Sequence, residues 1–124
     1  MKKNKKANVI YVFADQLSMI ALENQNCQNG LRTPNIDFLA KHGVKFNNSY
    51  CSTPQCSPSR SSMFTGLFPH KTGVVGNINT PNSKDLDTNL TIASYLKQNG
   101  YKTPYVGKWH LGGRPRGVYY KSWF

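Results

Sequence analysis

Residues 8–14 carry an unbroken apolar run, Val9 to Ala14, rich in β-branched and aromatic side chains and followed at once by Asp15 and Gln16. A short run of that kind, without polar alternation, predicts a parallel strand covered on both faces. Thr33-Pro34 then opens a segment in which Ile36, Leu39 and Ala40 lie at helical spacing. Threonine at the N-cap, proline at the first helical position and Gly43 as the stop predict a helix there. Val44 to Tyr50 reads as a second strand, leading through a turn at Pro54–Pro58 into a helix that begins near Cys56. Residues 76–89 crowd together Asn, Pro, Ser, Asp and Thr, which predicts a surface loop. Leu90 to Asn99 reads as another amphipathic helix, with Ile92 and Leu96 on one face and Gly100 ending it. Tyr101 to Val106 reads as a third strand.

Strand, helix, strand, helix, helix, strand is the order of an α/β fold with a parallel sheet. Three strands fall short of the roughly five or more of a doubly wound sheet. The aromatic stretch Tyr119–Phe124 supplies no closing element. The pattern therefore predicts the N-terminal part of a larger α/β protein, truncated, with residues 1–7 as a basic leader and 8–124 as an incomplete domain. Ligands of open α/β sheets gather at the carboxyl ends of strands, so position alone makes Asp15 a candidate.

Composition narrows the partners. The 124 residues hold 16 Lys and Arg against five acids, a net charge of +11, and 38% hydrophobic content fits a globular chain. Lys2, Lys3, Lys5 and Lys6 account for part of that charge as a solvated leader. The rest suits an anionic ligand; no basic helix, zinc-finger spacing or aromatic RNA-binding motif points to nucleic acid. No stretch reaches the about 18 apolar residues of a membrane span. The run after the leader is too short, and too soon interrupted by Asp15, for a signal peptide, which predicts a cytoplasmic protein. Cys27, Cys51 and Cys56 are odd in number and lack paired spacing, against a disulfide framework or a zinc ribbon.

The chemistry concentrates at Cys56-Ser57-Pro58-Ser59-Arg60, continued by Ser61-Ser62-Met63-Phe64-Thr65-Gly66. A thiol at a helix N-terminus with a guanidinium one turn on reads as reactive, because the dipole and the neighbouring charge both favour an anion there. Taken alone, the cysteine reads as a small buried hydrophobe. The whole run, however, resembles the signature of the type I sulfatases, Cys-x-Pro-Ser-Arg-x-x-x-x-Thr-Gly, at every fixed position. A second segment, Gly100-Tyr101-Lys102-Thr103 running into Gly107-Lys108-Trp109-His110, resembles that family's other signature. The strand is expected to deliver Lys108 and His110 to its carboxyl end, both pointing to the same side by the period of two.

Three further segments are similar to the same family. Asn8 to Gln16 resembles its first strand, which ends in metal-binding acids; Gln16 stands where many members carry a second aspartate. Thr33 to Ala40 resembles a scaffold helix, and Phe68 to Val74 the segment after the motif helix, with His42 and His70 read as structural. The resemblance thus covers the chain from Asn8 to Gly112 and implies an alkaline phosphatase-like fold, a parallel or mixed sheet flanked by helices.

The resemblance also implies a mechanism. Cys56 is oxidised by a formylglycine-generating or radical maturase enzyme to formylglycine, whose hydrate attacks the sulfur of a small-molecule or carbohydrate sulfate ester. A divalent metal, Ca²⁺ before Mn²⁺ or Mg²⁺, is held by Asp15, Gln16 and residue 56 as formylglycine. Arg60 neutralises the hydrate, Lys108 holds the sulfate, and His110 hydrogen-bonds the diol and takes a proton. The family's second pair of metal-binding residues comes from later in its chains, and after His110 this sequence has no Asp, Glu, Asn or His. The site therefore reads as half of one. Two alternatives stand beside the sulfatase: a phosphonate monoester or phosphodiester hydrolase of the same superfamily, and a non-catalytic anion-binding remnant.

Overall fold

The computed structural model describes residues 6–23, 32–113 and 120–121. Its helices are α1 (Met19–Glu23), α2 (Pro34–His42), α3 (Cys56–Thr65), α4 (Pro69–Thr72) and α5 (Ile92–Gln98). A 3-10 turn, Thr88–Leu90, precedes α5, and two short strands follow it, β1 (Tyr105–Val106) and β2 (Tyr120–Lys121). The chain divides into two compact units, residues 1–47 and 48–124. Most of the leader, and Cys27, lie outside the described residues.

In the first unit the strand expected at 8–14 is absent: these residues belong to no ladder, and Ile10 and Val12 are each 85% exposed. The reason is physical. A run buried on both faces in a parallel sheet becomes a strand only when neighbours accept its backbone hydrogen bonds and cover its side chains. α2 starts at Pro34 and ends at His42 as the sequence predicts, but the expected cap fails. Thr33 makes no side-chain bond to the first-turn amides, and its hydroxyl donates instead to Asp37 Oδ1 at 3.4 Å. His42 Nδ1 lies 2.8 Å from the Phe38 carbonyl, a local contact that fits the structural reading of this histidine. α2 buries none of its residues. Val44 to Tyr50, the second expected strand, is likewise irregular, with Val44, Phe46 and Tyr50 all exposed.

The second unit holds the core. Val74 and Leu111 have no exposed surface, and Phe64, Leu86 and Trp109 are nearly as buried. Phe64, Tyr105 and Trp109 form a mutual aromatic cluster with ring centroids 5.5–5.8 Å apart. α3 ends where Gly66 adopts φ 70°, a left-handed conformation that glycine takes without steric cost, and its amide donates to the Ser62 carbonyl. What α3 buries is largely polar: Ser57, Arg60 and Ser61 join Pro58 and Phe64. Ser61 satisfies its hydroxyl within the unit, donating to the Pro58 carbonyl at 2.9 Å and pairing with Thr72 Oγ1 at 3.1 Å.

Residues 76–87 are irregular, as expected, but the segment is not all surface. Leu86 is buried and its amide donates to the Leu111 carbonyl at 2.9 Å, while Asp85 Oδ2 accepts from the Gly113 amide at 3.0 Å. Thr91, 5% exposed, caps α5 by accepting from the Ser94 amide, so the helix opens at Ile92 rather than at Leu90. The third expected strand shrinks from Tyr101–Val106 to two residues, and the tail read as lacking a closing element supplies its partner. Tyr105 pairs with Tyr120 and Val106 with Lys121 in parallel. Thirteen residues separate the two strands in sequence, within the dozen or more that a parallel pair requires between its members.

Candidate active site

Cys56 is the first residue of α3, preceded by Gln55 in extended conformation. Its sulfur meets a cation: Lys108 Nζ donates to Cys56 Sγ at 3.4 Å. In a formylglycine the sulfur is replaced by oxygen, so Sγ stands for one oxygen on the reacting carbon. The ammonium that reaches this position comes from more than fifty residues away in sequence, which only the tertiary fold can arrange.

Arg60 is engaged by the main chain of Lys108. It is 4% exposed, and Nη1 donates to the Lys108 carbonyl at 2.5 Å and to the Tyr105 hydroxyl at 3.5 Å. The Tyr105 hydroxyl in turn donates to the same Lys108 carbonyl. The guanidinium thus braces the main chain of the residue whose ammonium reaches Cys56. A buried cation needs such partners, because leaving it without them would cost several kcal/mol, on the order of 3–5.

The period-two argument for Lys108 and His110 fails, since the strand stops at Val106. Gly107 turns the chain at φ 114° and His110 sits at φ 54°, in the left-handed region. That conformation costs a residue with a Cβ roughly 1–2 kcal/mol. The His110 carbonyl accepts from Ser57 Oγ at 2.6 Å, and the residues on either side, Trp109 and Leu111, are buried. Ser57, Tyr105 and Asn77, whose Oδ1 accepts from the Ser57 amide at 3.1 Å, were not selected from sequence. All three act on main-chain atoms, and such roles leave no side-chain pattern to read.

Asp15 and Gln16 belong to the first unit, where both are exposed in a turn after residues 8–14 and Gln16 has φ 59°. Among the described residues no three of His, Cys, Asp and Glu cluster as a metal site. Asp15, Gln16 and residue 56 together offer fewer oxygens than the roughly six to eight that Ca²⁺ takes. The described residues therefore do not fit a complete divalent-metal site. Among them, too, no helix is long and apolar enough to cross a membrane.

A sequence model of the family described as Sulfatase matches residues 7–124. The chain belongs to the sulfatase family. A formylglycine and a divalent metal are general features of that family. The chain is 38% identical over 115 residues to an ulvan-active sulfatase of Formosa agariphila, covering 92% of this chain and 21% of that one. It is 39% identical over 114 residues to human steryl-sulfatase, covering 85% of this chain and 19% of that one. The solved structure of a 2-O GAG sulfatase superposes with a TM-score of 0.63 at 36% identity, covering 73% of this chain and 20% of the other. The chain thus spans about a fifth of the length of these sulfatases.

Proposed function

We propose that these residues are the N-terminal part of a sulfatase catalytic domain that hydrolyses sulfate esters, with residue 56 as its nucleophile. The observation that carries the reading is the approach of Lys108 Nζ to Cys56 Sγ at 3.4 Å, joining the family's two signature segments at one point. Residue 56 in its aldehyde form, made by a maturation enzyme, supplies as its hydrate an oxygen nucleophile toward sulfur. Lys108 places a donor and a positive charge where the sulfate oxygens gather negative charge, and a donor fixed in advance lowers the barrier without reorganising. Arg60 and Tyr105 hold Lys108 through its carbonyl. His110 receives and returns a proton at its imidazole.

Asp15 and Gln16 are proposed as this chain's contribution to the family's divalent metal, Ca²⁺ by their hard oxygen donors, with the remaining ligands supplied from outside these 124 residues. The 8–14 run then takes its place in the parallel sheet of the whole α/β enzyme. Substrates are small-molecule or carbohydrate sulfates; the names of the relatives span an algal polysaccharide and a steroid sulfate, so the class stays broad.

The test expresses the complete reading frame together with a formylglycine-generating or radical maturase. Peptide mass spectrometry is expected to find the aldehyde at residue 56 and at neither Cys27 nor Cys51. Aryl sulfate is expected to turn over faster than aryl phosphonate ester. Faster turnover of the phosphonate would reassign the reaction to phosphorus, and an unconverted Cys56 beside a converted control sulfatase would sink the reading.

A further inference from the structure

Ser57 has no exposed surface, yet its polar atoms reach two distant parts of the chain. Its hydroxyl donates to the His110 carbonyl at 2.6 Å and accepts from the Ile78 amide at 3.2 Å. Its own amide donates to Asn77 Oδ1 at 3.1 Å, so Ser57 is itself anchored. His110 holds a left-handed φ of 54° between buried Trp109 and Leu111. A non-glycine residue persists in that conformation only where its surroundings over-determine it, and such outliers concentrate at functional sites. The backbone torsions of a residue set both the direction of its carbonyl and the direction in which its side chain leaves the main chain. Relaxing His110 toward an extended conformation would therefore pull its carbonyl off Ser57 and re-aim its imidazole in one movement.

We propose that Ser57 is a positioning residue: by holding the His110 carbonyl it keeps that backbone left-handed and so fixes where the imidazole stands relative to residue 56. Ser57 touches no reacting atom. It acts from the position next to the nucleophile, so α3 sets both groups through adjacent residues. The inference rests on the proposed function in giving His110 a proton to handle, but the geometry it describes can be measured without activity.

The experiment compares the parent full-length protein, converted at residue 56, with Ser57→Ala, His110→Ala and the double variant, using an aryl sulfate as probe. Ser57→Ala is expected to lower kcat about 10–10²-fold with KM changed less than about threefold, because imidazole aim matters after substrate is bound. In the His110→Ala background the same substitution is expected to cost less than about threefold, since nothing is left to aim. Equal losses in both backgrounds would overturn the proposal and leave Ser57 a packing residue. The second measurement is the imidazole NMR signals: in Ser57→Ala those of His110 are expected to shift or split, while those of His42 and His70 stay in place. Unmoved His110 signals would overturn the proposal even if activity fell. A parent that converts at residue 56 but hydrolyses no sulfate ester would sink the proposed function, and the imidazole signals would still decide the role of Ser57.

Discussion

Helices α2 and α3 both lie in family-signature segments, and both begin close to where the sequence predicts. They end in opposite states. α2 has the clearer apolar face and buries none of its residues, whereas α3, with serine at four of its ten positions, buries five of them. The difference shows that an apolar stripe is a demand for a partner surface and not a guarantee of one. α3 is held by hydrogen bonds and by a compact core around Val74 and Leu111; α2 shows its apolar face, Ile36, Phe38 and Leu39, largely to solvent. The same contrast separates the two units, since among the described residues all the hydrophobic ones that are fully or nearly buried belong to the second.

The sharpest way to break the contrast is to truncate one leucine in each unit. Leu111→Ala removes a side chain with no exposed surface and is expected to cost about 2–5 kcal/mol in urea denaturation of this chain. Leu39→Ala, at a residue 68% exposed, is expected to stay within about 0.5 kcal/mol. Comparable losses would mean that α2 finds a buried seat in solution.

Next in size is chemistry. In the complete, converted enzyme Lys108→Ala is expected to lower aryl sulfate turnover about 10²–10³-fold, the usual loss on removing one transition-state donor. Its melting temperature is expected to change little, because the ammonium reaches Cys56 rather than the core. His70→Ala, at an exposed ring stacked on Phe68, is expected to leave turnover near the parent value. An equal loss at His70 would move the proton-handling role away from His110.

A third test separates Arg60 as a brace from Arg60 as a ligand of the reacting group. Tyr105→Phe removes a hydroxyl that bridges Arg60 and the Lys108 carbonyl and is expected to destabilise this chain by roughly 1 kcal/mol. Arg60→Lys keeps the charge but loses the fork, and is expected to destabilise more than Tyr105→Phe. If Arg60→Lys left stability untouched and impaired only turnover, the brace would be the wrong description.

The smallest effect tests two threonines that read alike in sequence. Thr91 caps α5 by accepting from the Ser94 amide, and Thr91→Ala is expected to cost about 1 kcal/mol. Thr33 makes no such cap, so Thr33→Ala is expected to cost a few tenths at most, read from the same urea transitions. A full loss at Thr33 would show that it caps α2 in solution after all.

What the sequence determined by itself is local or carried by motif. Pro34 and Gly66 mark helix ends because proline and glycine act on their own backbone torsions, whatever surrounds them. Family membership was legible because Cys56 to Gly66 and Gly100 to His110 bear fixed residue types at fixed spacing. Tertiary structure decided the rest. The apolar runs at 8–14 and 44–50 read as strands, but a strand is a relation between segments, and its hydrogen bonds are made only where a partner lies alongside. Tyr105–Val106 found its partner in a tail that showed no strand pattern of its own. The same logic governs the site. Sequence named Cys56, Arg60, Lys108 and His110, whereas only the fold turned Arg60 toward the Lys108 carbonyl, brought Lys108 to the sulfur and set His110 left-handed on Ser57. The bonds from Arg60 and Ser57 end on the main-chain carbonyls of Lys108 and His110, which every residue carries, so no choice of side chain at position 108 or 110 announces them.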